Sequence, residues 1–216
     1  MSTFAILLGG DLVRTPRLDA ALGQARVIAA DSGIRHAAAL GLTPELWIGD
    51  FDSVTAAEIA GHAGIERDMH PPEKDSTDGE LAAEAAVARG ATNLIMVGAF
   101  GGERADHAFL HMTAAIRLAE RGLPVLLSSG FEEGAPLLPG ERGFDFPDGT
   151  LFSILAFSPL AGLTVSGAKW PLADVDLAFG SSLTLSNEVR GDLRVSLRQG
   201  RALLLARPET SPASKG

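Results

Sequence analysis

The first 130 residues alternate short apolar runs with helix-like segments, and most of the runs end in glycine or aspartate. Candidate strands are Phe4–Leu8, Val27–Ala30, Leu46–Ile48, Ile65–Met69, Leu94–Val97 and Val125–Ser128. Candidate helices lie at Arg17–Gln24, Gly33–Leu40, Ala56–His62, Asp78–Arg89 and Asp106–Arg121. Such alternation is the pattern of βαβ units wound around a mostly parallel sheet. Thr77 and Glu80 add a Thr-x-x-Glu capping box at the start of the fourth helix. Near Phe131–Pro139 the helical period ends and Gly and Pro become frequent. Thr150–Ala156, Gly162–Ser166, Ser182–Ser186, Leu193–Leu197 and Ala202–Ala206 then read as strands of an antiparallel sheet or sandwich. Glu132 and Glu133 read as a solvated loop. The expected fold is α/β: a mostly parallel α/β/α domain over 1–130, an antiparallel β-sandwich over 131–210, and a disordered tail at 211–216.

In a parallel sheet the loops leaving the strand C-termini share one edge, and ligands bind there. Here that edge collects Gly9-Gly10-Asp11, Asp31-Ser32-Gly33, Gly49-Asp50-Phe51-Asp52-Ser53, Lys74-Asp75-Ser76-Thr77-Asp78, and Gly101-Gly102-Glu103-Arg104 running to Asp106-His107. Asp50 and Asp52, two residues apart, point to the same side of an extended segment at about 7 Å. Like charges that close call for a cation or a proton, and a hard divalent ion such as Mg²⁺ is the natural cation. Glycines let backbone N–H groups approach phosphate oxygens, and Lys74 and Arg104 supply charge for the same oxygens. A rim this acidic repels bare ATP, so metal is part of the charge balance. Taken singly, the features also fit plain structure: Asp78 favours a helix dipole, and Asp31-Ser32-Gly33 is a cap and turn.

Composition removes other classes. Net charge is −9, which argues against a nucleic-acid surface. There is no cysteine, so disulfides, thiolate nucleophiles and Cys-based zinc sites are excluded, and a cytoplasmic setting is expected. No apolar run approaches the roughly 18 residues of a membrane span, and the N-terminus lacks the basic region of a signal peptide. Gly9-Gly10 opens neither a Walker A loop nor a Gly-x-Gly-x-x-Gly fingerprint. His107 and His111 have the spacing of a zinc pair, but the glutamate of His-Glu-x-x-His is missing. His107 reads instead as a polar partner beside Asp106. Trp170 is either core or a platform for a ligand ring.

Together these segments resemble the thiamine pyrophosphokinase family from Gly9-Gly10 to about Leu205. The resemblance rests on Ala30-Asp31-Ser32-Gly33, Ile48 to Ser53, Lys74 to Asp78, Gly98 to His107, Thr164 to Leu172 and Leu185-Ser186-Asn187-Glu188, in order. It implies transfer of a diphosphate from ATP to thiamine, giving thiamine diphosphate and AMP, by a homodimer with its active site between subunits. It also implies metal binding by Asp50, Asp52 and Asp78, with Asp75 and Asp106 as further carboxylates. Gly9, Gly10, Asp31, Ser32, Gly33, Lys74, Thr77, Gly101, Gly102, Arg104 and His107 fall on the nucleotide side. Trp170, Ser186 and Asn187 fall on the thiamine side. Two positions depart from the family pattern: Glu103 intervenes where Gly-Gly-Arg is usual, and Ala168 replaces a larger aliphatic residue before Lys169-Trp170. Either Asp106 or Asp75 accepts the hydroxyl proton or binds a second metal. A hydroxymethylpterin acceptor, or an Mg·ATP sensor without turnover, is the alternative reading.

Overall fold

The computed structural model describes residues 2–52, 54–71 and 75–208. Its N-terminal half has six parallel strands: β1 (Thr3–Leu7), β2 (Arg26–Ala30), β3 (Leu46–Gly49), β4 (Glu66–Met69), β5 (Asn93–Val97) and β6 (Val125–Ser128). They lie in the order β4-β3-β2-β1-β5-β6. The helices are α1 (Pro16–Leu22), α2 (Arg35–Leu40), α3 (Ala56–Gly61), α4 (Asp78–Ala88) and α5 (Ala105–Glu120). A 3-10 turn, Asp31–Ile34, leads into α2. Each strand and helix expected in this half is present, with ends shifted by at most two residues.

Alternation along the strands explains the layers. Phe4, Ile6 and Leu8 pack with Ala82, Ala83 and Ala86 of α4 and with Ala115 and Leu118 of α5. Ala5 and Leu7 face the other way, onto Leu18 and Leu22 of α1 and Ala37 and Leu40 of α2. Burying one leucine in such a layer contributes roughly 1.5–3 kcal/mol. Because α1 and α5 cover opposite faces, the chain reverses its winding between the adjacent strands β1 and β5. The crevice above their C-terminal ends is where doubly wound sheets bind ligands.

The C-terminal half is antiparallel: β7 (Glu133–Leu137), β8 (Gly140–Phe144), β9 (Leu151–Ala156), β10 (Leu160–Ala168), β11 (Leu172–Leu177), β12 (Asn187–Leu197) and β13 (Ala202–Arg207). It continues the first sheet, since β7 pairs with β6 and the order runs β6-β7-β13-β9-β12-β10-β11. The long strand β12 pairs with β9 at Asn187–Glu188 and with β10 and β8 further on, so it belongs to both layers of the sandwich. Leu163, Val165, Val189, Leu193 and Leu204 fill the space between the layers.

Two expectations need correction. Ser182–Ser186 is a turn, and the strand begins at Asn187. Leu185 N–H bonds Ser182 C=O, and Ser186 has φ +58, which breaks extended geometry. Glu133 is no solvated loop residue: it opens β7, is buried, and accepts a 2.7 Å bond from Arg17 Nε. The tail expected at 211–216 lies outside the described residues.

Candidate active site

The loops after β1 and β5 are joined to each other. Gly10 N–H donates to Gly98 C=O at 3.0 Å, and Asp11 N–H donates to Phe100 C=O at 2.8 Å. A Cβ at residue 10 would sit 2.5 Å from both Gly98 O and Phe100 O, so only glycine permits the approach. Gly101 has φ +65, and its Cβ position is filled by the Asp11 carboxylate. Gly9, Gly101 and Gly102 are exposed, while Gly33 is buried against Leu7. Gly9 packs beside Ser32 Oγ.

Two histidines brace these loops from behind, a role the sequence reading missed. His36 Nε2 lies 2.9 Å from Gly10 O. His111 Nδ1 lies 3.1 Å from Ala99 O, and burial pushes the pKa of His111 down. The neutral ring therefore donates from Nδ1 to the carbonyl. The i, i+4 spacing of His107 and His111 was legible, but nothing in it pointed to a brace on the Ala99 carbonyl. Their ring centroids stand 6.4 Å apart, and the Asp106 carboxylate pairs with the Arg104 guanidinium while the His107 backbone also bonds it.

Carboxylates from two neighbouring strand ends meet on the adjacent rim. Ligand oxygens of Asp31, Asp50 and Asp52 all lie within 4.8 Å of one another. The Asp50–Asp52 segment is not extended as expected. Phe51 has φ +63, and Asp52 N–H turns back onto Asp50 Oδ1 at 3.1 Å. Asp31 has φ +45. A left-handed backbone costs a non-glycine residue about 1–2 kcal/mol, so the fold has to hold both loops in place. Asp31, expected on the nucleotide side, stands in the structure beside Asp50 and Asp52.

Asp52 is held above the usual carboxylate range, first by the hydrogen bond and charge of Asp50, then by the charges of Asp31 and Asp78. Asp78, half-buried at the first residue of α4, is thus near enough to be felt, although the tight trio does not include it. Thr77 caps α4: its Oγ1 accepts from Glu80 N–H at 3.3 Å, and its own N–H donates to Glu80 Oε2 at 3.1 Å. Asp75 is exposed. Lys74, with Ser53, lies outside the described residues.

Three clustered carboxylates, with the proton affinity of Asp52 raised by its neighbours, are a suitable donor set for a hard divalent ion. The chemistry of the residues present therefore fits Mg²⁺. At the start of α5 the exposed Arg104 forks onto Asp106, Nε–Oδ1 at 2.9 Å and Nη2–Oδ2 at 2.6 Å. This pairing holds Asp106 well below the usual carboxylate range.

On the β-rich half, Trp170 is exposed at 55%, with Lys169 Nζ 4.6 Å from its ring centroid. Asn187 is buried and bonded to the Trp170 backbone: Nδ2 donates to its C=O at 2.8 Å, and Oδ1 accepts its N–H at 3.2 Å. Asn187 thus fixes the backbone of Trp170. Ser186 N–H bonds Ser153 Oγ at 3.0 Å. Leu151, Phe179, Leu183 and Leu185 are exposed on the same half.

The chain is similar to known proteins along nearly its whole length. A family model for the thiamin pyrophosphokinase catalytic domain matches residues 20–127, and one for the thiamin pyrophosphokinase vitamin B1 binding domain matches residues 141–201. Thiamine pyrophosphokinase of Bacillus subtilis is 28% identical over 194 residues, covering 88% of this chain and 90% of the relative. The crystal structure of a Bacillus subtilis thiamine pyrophosphokinase superposes with a TM-score of 0.85 at 24% identity, covering 97% of this chain and all of the other. Thiamin pyrophosphokinase from Candida albicans gives 0.81 at 12% identity, covering 96% of this chain and 90% of the other. With the catalytic match over the carboxylate-rimmed parallel sheet and the vitamin-binding match over the strands around Trp170, the chain belongs to the thiamin pyrophosphokinase family.

Proposed function

We propose that the rim of Asp31, Asp50, Asp52 and Asp78 binds Mg²⁺ with ATP, and that Trp170 presents thiamine to it from a second copy of the chain. The reaction is that of a thiamine diphosphokinase: ATP and thiamine give thiamine diphosphate and AMP. The thiamine hydroxyl oxygen bonds to the β-phosphorus of ATP. The bond from that phosphorus to the oxygen bridging to the α-phosphorus breaks, and AMP leaves with that oxygen. Bound on the rim, a divalent ion supplies neutralising charge to the polyphosphate.

The chain's own residues do the positioning. The backbone of the fused Gly9-Gly10 and Gly101-Gly102 loops receives phosphate oxygens in the crevice above β1 and β5. Ser32, Gly33 and Thr77 set the flanks of that crevice, and His107 stands at its α5 side. Arg104 transfers its fork from Asp106 to phosphate, with Lys74 taking remaining charge. Release of Arg104 returns Asp106 to the ordinary carboxylate range, where it can take the hydroxyl proton; Asp75 is the other candidate. Trp170 stacks on a thiamine ring, backed by Asn187 and flanked by Ser186. The acidic mouth also attracts the cationic thiazolium.

A homodimer accounts for the separation of the two halves. From β3 to β10 the sheet takes nine strand-to-strand steps, roughly 40 Å along its curved path at about 4.8 Å each. The exposed Leu151, Trp170, Phe179, Leu183 and Leu185 are apolar surface suited to a partner subunit. Within this reading residues 1–130 are the catalytic unit and 131–210 the thiamine unit, acting in the cytoplasm.

The convergence of Asp31, Asp50 and Asp52 carries the proposal. Incubation with ATP, Mg²⁺ and thiamine, followed by mass analysis, should show thiamine diphosphate and AMP in equal amounts. A parallel incubation with a hydroxymethylpterin should release no AMP. AMP release with the pterin alone would reassign the acceptor, and binding without any AMP would make the chain a sensor.

A further inference from the structure

The two strained residues of the rim share one buried neighbour. Trp47 lies in the middle of β3 and is fully buried. Its indole Nε1–H donates to the backbone C=O of Asp31 at 2.9 Å. The edge of its ring packs on Phe51, with centroids 4.8 Å apart and planes at 75°. His62 meets the indole at 5.9 Å, closing it off beyond α3. One side chain therefore touches the left-handed residue of the Asp31 turn and the left-handed residue between Asp50 and Asp52. It reaches each away from the carboxylates themselves. Gly49 completes the fit, since its Cβ position lies 3.3 Å from Asp31 Cα.

We infer that Trp47 is a positioning residue for the metal centre, holding the Asp31 turn and the Asp50–Asp52 turn in the relative placement that brings their three carboxylates together. The inference rests on the metal role given to those carboxylates above. If Trp47 were only core, phenylalanine would keep most of its apolar packing and cost stability through the lost ring volume alone. What phenylalanine lacks is the N–H that fixes the Asp31 carbonyl. Trp47→Phe thus separates the two roles: the edge contact to Phe51 is kept and the link to Asp31 is cut.

The test uses Mn²⁺ with α,β-methylene-ATP, an analogue whose α–β link the reaction cannot break. Free Mn²⁺ is counted by its electron paramagnetic resonance signal, and thiamine binding is followed by calorimetry. Wild type, Asp52→Asn and Trp47→Phe are compared as full-length proteins, with thermal unfolding recorded for each. The expected result for Trp47→Phe is Mn²⁺ binding weakened about three- to tenfold, the size of one lost hydrogen bond, with thiamine affinity unchanged.

A second readout uses the composition. The chain has two tryptophans and no tyrosine, so in Trp170→Phe the emission comes from Trp47 alone. Paramagnetic Mn²⁺ should quench it, and adding Asp52→Asn should remove the quenching. If Asp52→Asn binds Mn²⁺ like wild type, the carboxylate reading fails and this inference falls with it. If Asp52→Asn is impaired and Trp47→Phe is not, only the role of Trp47 is overturned. Equal loss of metal and thiamine binding with early unfolding would make Trp47 ordinary core, and would also overturn the inference.

Discussion

Asp52 shows how a single side chain can work against the fold it sits in. Its folded-state pKa is raised, so the folded chain takes up a proton there more readily than the unfolded chain. Stability from that proton is present at low pH and is lost as pH rises through the folded pKa. Asp52→Asn should therefore raise Tm in EDTA at neutral pH while lowering turnover by at least about 100-fold. Unchanged turnover would remove Asp52 from the chemistry. For the same reason the acid limb of activity should move to lower pH as Mg²⁺ is raised, because metal and proton compete for one carboxylate. Asp106 has the opposite bias, and Arg104→Ala should return its carboxyl to the ordinary range, visible by carbon NMR of the side chain. The types and spacing of Asp50 and Asp52 were readable in the sequence. The left-handed Phe51 and the arrival of Asp31 were not, because both belong to tertiary packing, where the buried Trp47 indole touches the two loops.

At the scale of elements, local signals were reliable where one end of a helix or strand satisfied itself. The capping box of Thr77 and Glu80 forms as its spacing implied, and a second box, Thr55 with Glu58, starts α3. Arg35 and the Thr55 cap hold Glu58 down to about 2, so that box survives well into acid. Thr77→Ala should cost about 0.5–2 kcal/mol in urea unfolding, the usual size of a lost cap. It should also loosen Asp78, the next residue, and so raise the Mg²⁺ needed for half-maximal activity. Stability loss without a change in Mg²⁺ demand would make Thr77 a cap only. Signals failed where a strand depends on distant partners. Leu183-Thr184-Leu185 alternates as a strand should, yet Thr184 gives its hydroxyl to Ile154 C=O at 2.7 Å, and the segment turns. Strands β7, β8 and β11 carry Gly, Pro or Asp and were not anticipated; pairing with β6, β12 and β10 gives them their form.

For the whole molecule, the two textures of the sequence correctly separated parallel from antiparallel strands, but did not reveal that one sheet runs through both. The junction is welded by β6 against β7 and by Arg17, which pairs with buried Glu133 and lies 5.0 Å from the Phe146 ring centroid. Two variants test the proposed site between subunits. Trp170→Ala should weaken thiamine binding and leave binding of the ATP analogue intact. Unfolding and reassembling Trp170→Ala with Asp52→Asn, at a thiamine concentration where each alone turns over little, should recover roughly a quarter of wild-type activity, since half the dimers pair the two variants and each of those has one intact site. No recovery would place both residues in the same subunit's site.

The hydrogen bonds between the β1 and β5 loops have a kinetic corollary. A cradle whose two walls are already tied together leaves no closure of those two loops for the nucleotide to drive. Capture of ATP should then proceed at a rate set by diffusion and ionic screening, and single-turnover traces should show no lag from loop closure.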